Sequence, residues 1–305
     1  MKEKSILSKQ EWVQGHRRYF VIGGLTIQFE SDVPVSDETF DHRFKSFQTN
    51  QVGSDKILLQ HHVGFPDLIH RKLGREFYRK PPWAIYHPGK NWVYLGIAPT
   101  LDDPSLHRVA VFNENHTKGQ IYSPNENEIR SGALHALTMF PTDQILLARI
   151  LADREGCYLH AAGVILDHQG LVFVGHSEAG KTTMVSMLQG ESAILCDDRV
   201  IVRSWPDGLR VYGTWSHGDF SQVSSASAPL RRMFFLHQDQ ANFLVPIEDW
   251  KTVFKELLLF VVKPFVTGDW WEKTLSILAK IAKQVPAYYL HFDRSGRVLN
   301  VLRKI

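Results

Sequence analysis

The rhythm of apolar and polar positions changes near residue 125. Before it, apolar residues come in short runs rich in β-branched and aromatic side chains, at 19–22, 25–29, 56–59, 83–86, 92–95 and 107–112. Gly, Pro, Asn and Asp separate these runs, and such runs between turn residues read as strands. Gly23-Gly24 and Pro88-Gly89-Lys90-Asn91 have the composition of hairpin turns. No stretch in this region carries the 3.6-residue period of a long helix. The expectation for residues 1–125 is a β-rich, antiparallel N-terminal domain.

Pro, Asn and Glu concentrate at 123–130, and a boundary there makes residues 126–305 a second domain. Pro141-Thr142-Asp143 reads as a helix start, with Thr142 or Asp143 capping free N–H groups. Residues 145–152 are apolar nearly all round, the pattern of a helix buried between layers. A strand is expected over 158–166, then a turn at Asp167-His168-Gln169-Gly170, then an antiparallel strand over 171–174. Helices are expected at 247–262 and 269–284, and a last strand at Ala287–Phe292. There is no internal repeat.

Composition narrows the function classes. With 305 residues, 44% hydrophobic, the chain has material for a sizeable core. A net charge of +3, from Lys and Arg scattered along the chain, argues against a nucleic-acid partner. The 15 histidines add positive charge on mild acidification. Two cysteines, Cys157 and Cys196, are too few for a disulfide framework and read as buried thiols. The first residues lack the apolar run of a signal peptide, and the longest apolar stretch, 257–262, is far short of a membrane span. A cytoplasmic setting without membrane contact is expected.

The candidate chemistry lies in the second half. Gly175-His176-Ser177-Glu178-Ala179-Gly180-Lys181-Thr182 has the spacing G-x-x-x-x-G-K-[ST], and Thr183 follows it. Glycines let such a loop turn its N–H groups toward phosphate oxygens. A helix beginning near Lys181 adds its positive end. Lys181 supplies a charge for the outer phosphates and Thr182 a hydroxyl for Mg²⁺. The strand at 171–174 before the loop and the apolar-periodic run after it supply the context the motif requires. Glu178 is the awkward residue, and its carboxylate is expected to point outward.

A short apolar strand, Ile194-Leu195-Cys196, ends in Asp197-Asp198-Arg199, some fifteen residues after Lys181. One helix and a turn fill that interval, so the carboxylates return beside the loop. One of them then holds Mg²⁺ and the other takes the proton of an acceptor hydroxyl. His160, at the end of the apolar run Tyr158-Leu159, reads either as a core residue or as a partner of that pair. Arg231-Arg232 reads as a solvated strand start, His61-His62 lacks a third metal ligand at useful spacing, and Trp270-Trp271 reads as a packing anchor.

The order Leu159-His160-Ala161-Ala162-Gly163, then the loop from Gly175 to Thr183, then Asp197-Asp198-Arg199 resembles the catalytic domain of the HPr kinase/phosphorylase family. Tyr212-Gly213-Thr214-Trp215-Ser216-His217-Gly218-Asp219 resembles the HPr kinase-related branch of bacterial chains. The resemblance covers about residues 141–292. It implies an α/β fold, with a mixed sheet of the HPr kinase and phosphoenolpyruvate carboxykinase type. It implies an ATP- and Mg²⁺-dependent phosphotransferase acting on a hydroxyl of a protein, peptide or small molecule. Lys181 and the loop then bind the β and γ phosphates, Thr182 and Asp198 hold Mg²⁺, Asp197 is the base, and His160 supports it. His217, Asp219 and Arg199 line the acceptor side, and the resemblance raises the chance of a homo-oligomer while the sequence leaves the oligomeric state open. Three features depart from the family: Glu178 stands where it usually has Gly, its Arg-Gly-Leu-Gly-like segment is not visible, and the β-rich N-terminal unit differs from that of the phosphocarrier enzyme. The competing readings are a catalytically inactive nucleotide-binding regulator and a carboxykinase-like enzyme for a small carboxylate.

Overall fold

The computed structural model describes residues 15–67, 73–97, 106–132 and 134–304. Strands β1 (Arg17–Ile22) and β2 (Leu25–Ser31) pair antiparallel through Gly23-Gly24. Both glycines have positive φ, at 57° and 74°, the conformation a two-residue hairpin demands. Strand β3 (Lys56–Val63) lies parallel to β2, with Ile57 opposite Ile27. Strands β4 (Arg75–Lys80), β5 (Trp83–His87), β6 (Trp92–Ile97), β7 (Leu106–Phe112) and β8 (Lys118–Ser123) form a meander whose last strand lies parallel to β3. The sheet order is β1-β2-β3-β8-β7-β6-β5-β4.

The antiparallel unit expected from the sequence is therefore a mixed sheet. A parallel pair needs a crossover. Residues 32–55 supply it, carrying Phe40, Phe44 and Phe47 into the core beside Phe20 and Phe29. Strand β4, missed in the sequence, is a sheet edge and reads Arg-Glu-Phe-Tyr-Arg-Lys. Charges on an edge discourage pairing with other chains but hide the apolar alternation.

After β8 the chain forms a short helix α1 (Asn127–Arg130), a 3-10 turn at Pro141–Asp143 and helix α2 (Gln144–Ala152). Asp143 does not cap α2. It sits at φ 51°, and its carboxylate accepts from the Leu137 and Thr138 N–H groups at 2.8 and 2.7 Å. The side chain of Thr142 lies outside the described residues. Helix α2 is buried from Ile145 to Ala152, as its all-round apolar pattern requires.

The second sheet holds nine strands. In chain order its elements are β9 (Gly156–Leu159), β10 (Ala161–Leu166), β11 (Gln169–Val174), helix α3 (Lys181–Met187), β12 (Ala193–Cys196), β13 (Val200–Trp205) and β14 (Gly208–Tyr212). There follow β15 (Ser227–Gln238), β16 (Phe243–Pro246), helix α4 (Trp250–Phe260), helix α5 (Gly268–Gln284), β17 (Ala287–Phe292) and helix α6 (Val298–Leu302). The strand order is β12-β10-β11-β15-β14-β13-β9, with β17 beside β15 and β16 beside β17.

The single strand expected over 158–166 is two strands broken at His160. Strand β9 pairs with β13, whereas β10 pairs with β11 and β12. The break has a local cause: the His160 N–H donates to Phe260 O at 2.8 Å, and Leu159 bridges Val261. Strand β10 runs antiparallel to both β11 and β12, so those two point the same way. Strands β15 and β17 are parallel to β11. Four strands thus end along one rim of the sheet, where ligands of α/β sheets gather.

One buried cluster joins the two sheets. It runs from Phe20 and Phe29 through Ile129, Leu137 and α2 to Tyr158, Ile201, Tyr212 and Trp215. Phe44 and Phe47 meet the Trp215 ring at 5.0 and 5.3 Å between centroids. Around it, the Arg154 guanidinium grips both oxygens of Asp55, and Arg203 Nη1 donates to Gly23 O at 2.7 Å. Cys157 and Cys196 are free and buried. Among the described residues no helix is long and apolar enough to cross a membrane.

Candidate functional site

The loop of residues 175–180 leaves the end of β11 and enters α3. Its two glycines are sterically fixed. A Cβ on Gly175 would stand 2.6 Å from the Ala179 Cβ, and one on Gly180 would stand 2.7 Å from the Phe292 ring. Gly180 also has φ 96°. Glu178 has φ 69°, a left-handed conformation that glycine adopts more readily, and its side chain is exposed. Its carbonyl accepts from Gln238 Nε2 at the end of β15.

Lys181 is buried, with 8% exposure, and its Nζ donates to Gly175 O at 2.8 Å and His176 O at 2.9 Å. The ammonium is thus held across the entrance of the loop. Burial lowers its pKa from the ordinary lysine value, against the raising effect of Asp198 and Asp197.

Strand β12 ends on the same rim with Asp197, which is fully buried. Its Oδ2 accepts from Thr182 Oγ1 at 2.8 Å and from the Phe220 N–H at 3.1 Å, and its Oδ1 accepts from the Gly218 N–H at 2.7 Å. Three of about four acceptor positions of this carboxylate are in use. A Cβ on Gly218 would stand 3.0 Å from Asp197 Oδ2, so glycine lets the chain approach that closely.

Asp198 faces elsewhere. Its Oδ2 accepts from Arg199 Nη1 and from Ser216 Oγ, the latter at 2.9 Å, and Ser216 Oγ itself accepts from Arg199 at 2.8 Å. Its Oδ1 lies 3.5 Å from His160 Nε2, longer than a hydrogen bond. Burial is the main cause that lowers the His160 pKa, and the positive charge of Lys181 adds to it. The charge of Asp198 works against both, and the net direction is toward the neutral imidazole. The turn carrying both carboxylates is pinned by Thr214 Oγ1 and Cys196 Sγ, which both donate to Arg199 O.

Residues 128–305, more than half of the chain, match the family model described as SynChlorMet cassette protein ScmC. The chain belongs to the ScmC family. The matched stretch contains every residue of the site just described. Among solved structures, this ScmC-family chain is similar to the Hpr(Ser) kinase/phosphatase from Coxiella burnetii. That similarity has 9% identity and a TM-score of 0.30, covering 48% of this chain and 94% of that one. No curated protein matches the chain.

The candidates named in the sequence divide into two groups. Gly175, Gly180, Lys181, Thr182, Asp197, Asp198, Arg199 and His160 converge on one rim. His176, Ser177 and Glu178 are exposed on the loop, and Thr183 is half-buried in α3. His217 is half-buried with Nδ1 against Gly218 O at 2.8 Å, and Asp219 is exposed, both on the segment that closes over Asp197. Arg232 reaches Gln169 at the opposite end of β11 and has no part in the site. His61 is buried with Nε2 on Leu137 O, and His62 contacts Asp32. Trp270 is buried, its Nε1 donating to Ala148 O at 2.8 Å.

Nothing in the residue types alone marks Ser216 or the N–H groups of Gly218 and Phe220 as functional. Ser216 lies inside the stretch that resembled the HPr kinase-related branch, which was the one available signal. A backbone donor carries no side-chain signal at all.

Proposed function

We propose that this chain binds a nucleoside triphosphate at residues 175–183 and transfers the γ-phosphoryl group to a hydroxyl of a protein, peptide or small molecule. The observation that carries the reading is the Thr182–Asp197 hydrogen bond at 2.8 Å, which ties the glycine loop to the carboxylate pair. A Gly-rich loop with a lysine at its entrance answers the triphosphate, and adjacent carboxylates answer the metal and the acceptor proton. The motif order shared with HPr kinases supports the same reading.

Thr182 Oγ1 and the Asp197 carboxylate are hard oxygen donors that suit Mg²⁺, which is commonly held by one or two carboxylates together with substrate phosphates. Mg²⁺ supplies neutralisation of the charge on the outer phosphate oxygens. Asp198 is the base. Its Oδ1 faces a neutral imidazole, whereas the Asp197 oxygens are already engaged. This division reverses the one favoured from the sequence, where Asp197 was the base and Asp198 the metal ligand.

In the transfer step the acceptor hydroxyl gives its proton to Asp198. Its oxygen bonds to the γ-phosphorus, and the bond from that phosphorus to the β,γ-bridging oxygen breaks, leaving a nucleoside diphosphate. Arg199 and Ser216 hold the Asp198 carboxylate in place while this happens. Glu178, exposed on the outer side of the loop, leaves the cradle free of its carboxylate.

The test is titration with ATP and Mg²⁺ together with measurement of ADP release in the presence of serine-containing peptides and small hydroxyl compounds. Wild type binds the triphosphate, Lys181→Ala loses at least about tenfold in affinity, and ADP release depends on an acceptor. A wild-type protein that binds no triphosphate removes the reading.

A further inference from the structure

A cleft of about 490 Å³ opens beside the loop, on the sheet face that α4 covers. Gly175 and His176 of the loop line one wall, and His237, Tyr289, His291, Glu256 and Leu259 are among the residues that line the rest. Two of its lining residues, His237 and His291, belong to a row of planar rings from three neighbouring strands, which Phe243 continues outside the cleft lining. Phe243 and His291 are directly paired residues of β16 and β17, and their rings stack at 4.3 Å and 6°. His291 and His237 are paired across β17 and β15 and stack at 5.3 Å and 18°. Asp239 Oδ2 holds His291 Nδ1 at 2.9 Å and fixes the middle ring. The row ends at His237, which is exposed and faces the flank of the phosphate loop.

The sheet order gives this row a direction. Strands β12 and β10, with Asp198 and His160, lie on one side of β11, and β15 and β17 lie on the other. A triphosphate whose γ end meets Asp198 carries its nucleoside toward β15 and β17. The acceptor hydroxyl must reach Asp198 from the opposite flank, so the cleft is not the acceptor's place. A planar base extends a stack of rings without needing a matching pattern of hydrogen bonds.

We propose that this cleft holds the base of the donor nucleotide, packed against the exposed ring of His237, which His291 and Tyr289 hold from within the sheet. The inference rests on the phosphate-loop reading and adds the position of the nucleoside to it. Its test compares two probes that share the phosphates and differ in the base: ATP and inorganic tripolyphosphate, each titrated with Mg²⁺. Wild type binds ATP about tenfold or more tighter than tripolyphosphate. His237→Ala, a change at an exposed position, removes most of that difference and leaves tripolyphosphate binding unchanged, and His237→Phe restores it. Equal loss for both probes, or no loss for ATP, overturns the assignment. If wild type binds tripolyphosphate as tightly as ATP, the loop reading stands and the base site falls. If it binds neither, the loop reading itself has failed.

Discussion

His160 Nε2 stands 3.5 Å from Asp198 Oδ1, at the point where β9 gives way to β10. The neighbouring Asp197 instead anchors Thr182 and two backbone N–H groups. The two carboxylates therefore have different failure modes. Asp198→Asn lowers single-turnover phosphoryl transfer by roughly 10²–10⁴-fold and changes Mg²⁺–ATP binding only a few-fold. Asp197→Asn turns an amide N–H₂ toward buried donors, costs about 1–3 kcal/mol of stability, and weakens Mg²⁺–ATP binding. Turnover loss without binding loss in Asp197→Asn would return the base to that residue.

Glu178 carries a local cost at its φ of 69°. A non-glycine residue in the left-handed region costs about 1–2 kcal/mol, and glycine gives back about 0.5–1 kcal/mol through its freer unfolded chain. Glu178→Gly should therefore raise the stability to unfolding by up to ~1 kcal/mol. On the phosphate-loop reading it also removes an exposed negative charge from the loop, so long-range repulsion lessens, triphosphate binding tightens a few-fold at most at low ionic strength, and the gain fades in 1 M salt. Weaker triphosphate binding by this variant would show that Glu178 contributes to the site.

The shared core makes a prediction about fragments. A polypeptide of residues 126–305 alone would open the buried cluster that Tyr158, Ile201, Tyr212 and Trp215 share with residues before 126, and uncover Trp215 from Phe44 and Phe47. It would also lose the contacts of Asp55 and Gly23 with Arg154 and Arg203. The full chain is expected to unfold in one calorimetric transition, and the fragment to lack a cooperative transition. A fragment that melts cooperatively at the full-length midpoint would establish an independent second domain.

Two buried histidines set an acid limit. Burial pushes His61 and His116 down to about 3. Between pH 6.5 and about 3 the unfolded chain binds these protons and the folded chain does not, so stability falls as pH drops through that window. At pH 5 the loss is about 2 kcal/mol for each relative to pH 8. Asp143 acts in the opposite sense: burial raises it to about 6, and protonating it between pH 6 and 5 returns about 1 kcal/mol, which only partly offsets the two histidines. Urea unfolding midpoints measured from pH 8 to 5 should fall, and His116→Phe should flatten the slope by about one proton. An unchanged slope in that variant would rule out His116 as a source.

Local residue types alone settled much of this protein. The glycines and lysine of the loop, the acidic pair at a strand end and the apolar run of α2 are statements about conformation and charge that hold wherever the chain travels. The antiparallel pairing of β10 with β11 follows from a short turn, which is tighter than the expected span of 167–170: Asp167 and His168 alone form it, both at positive φ, and Gln169 and Gly170 already belong to β11. Tertiary structure decided what depends on partners distant in sequence. Phe260 O takes the His160 N–H and breaks a strand that apolar continuity would have prolonged, because a hydrogen-bond acceptor 100 residues away outweighs local propensity. Phe40, Phe44 and Phe47 cross the first sheet and make part of it parallel, an order no alternation pattern encodes. The same holds for Asp197 and Asp198. They are identical in type and adjacent in sequence, and only the N–H groups of Gly218 and Phe220, together with Thr182, His160 and Ser216, give them different surroundings.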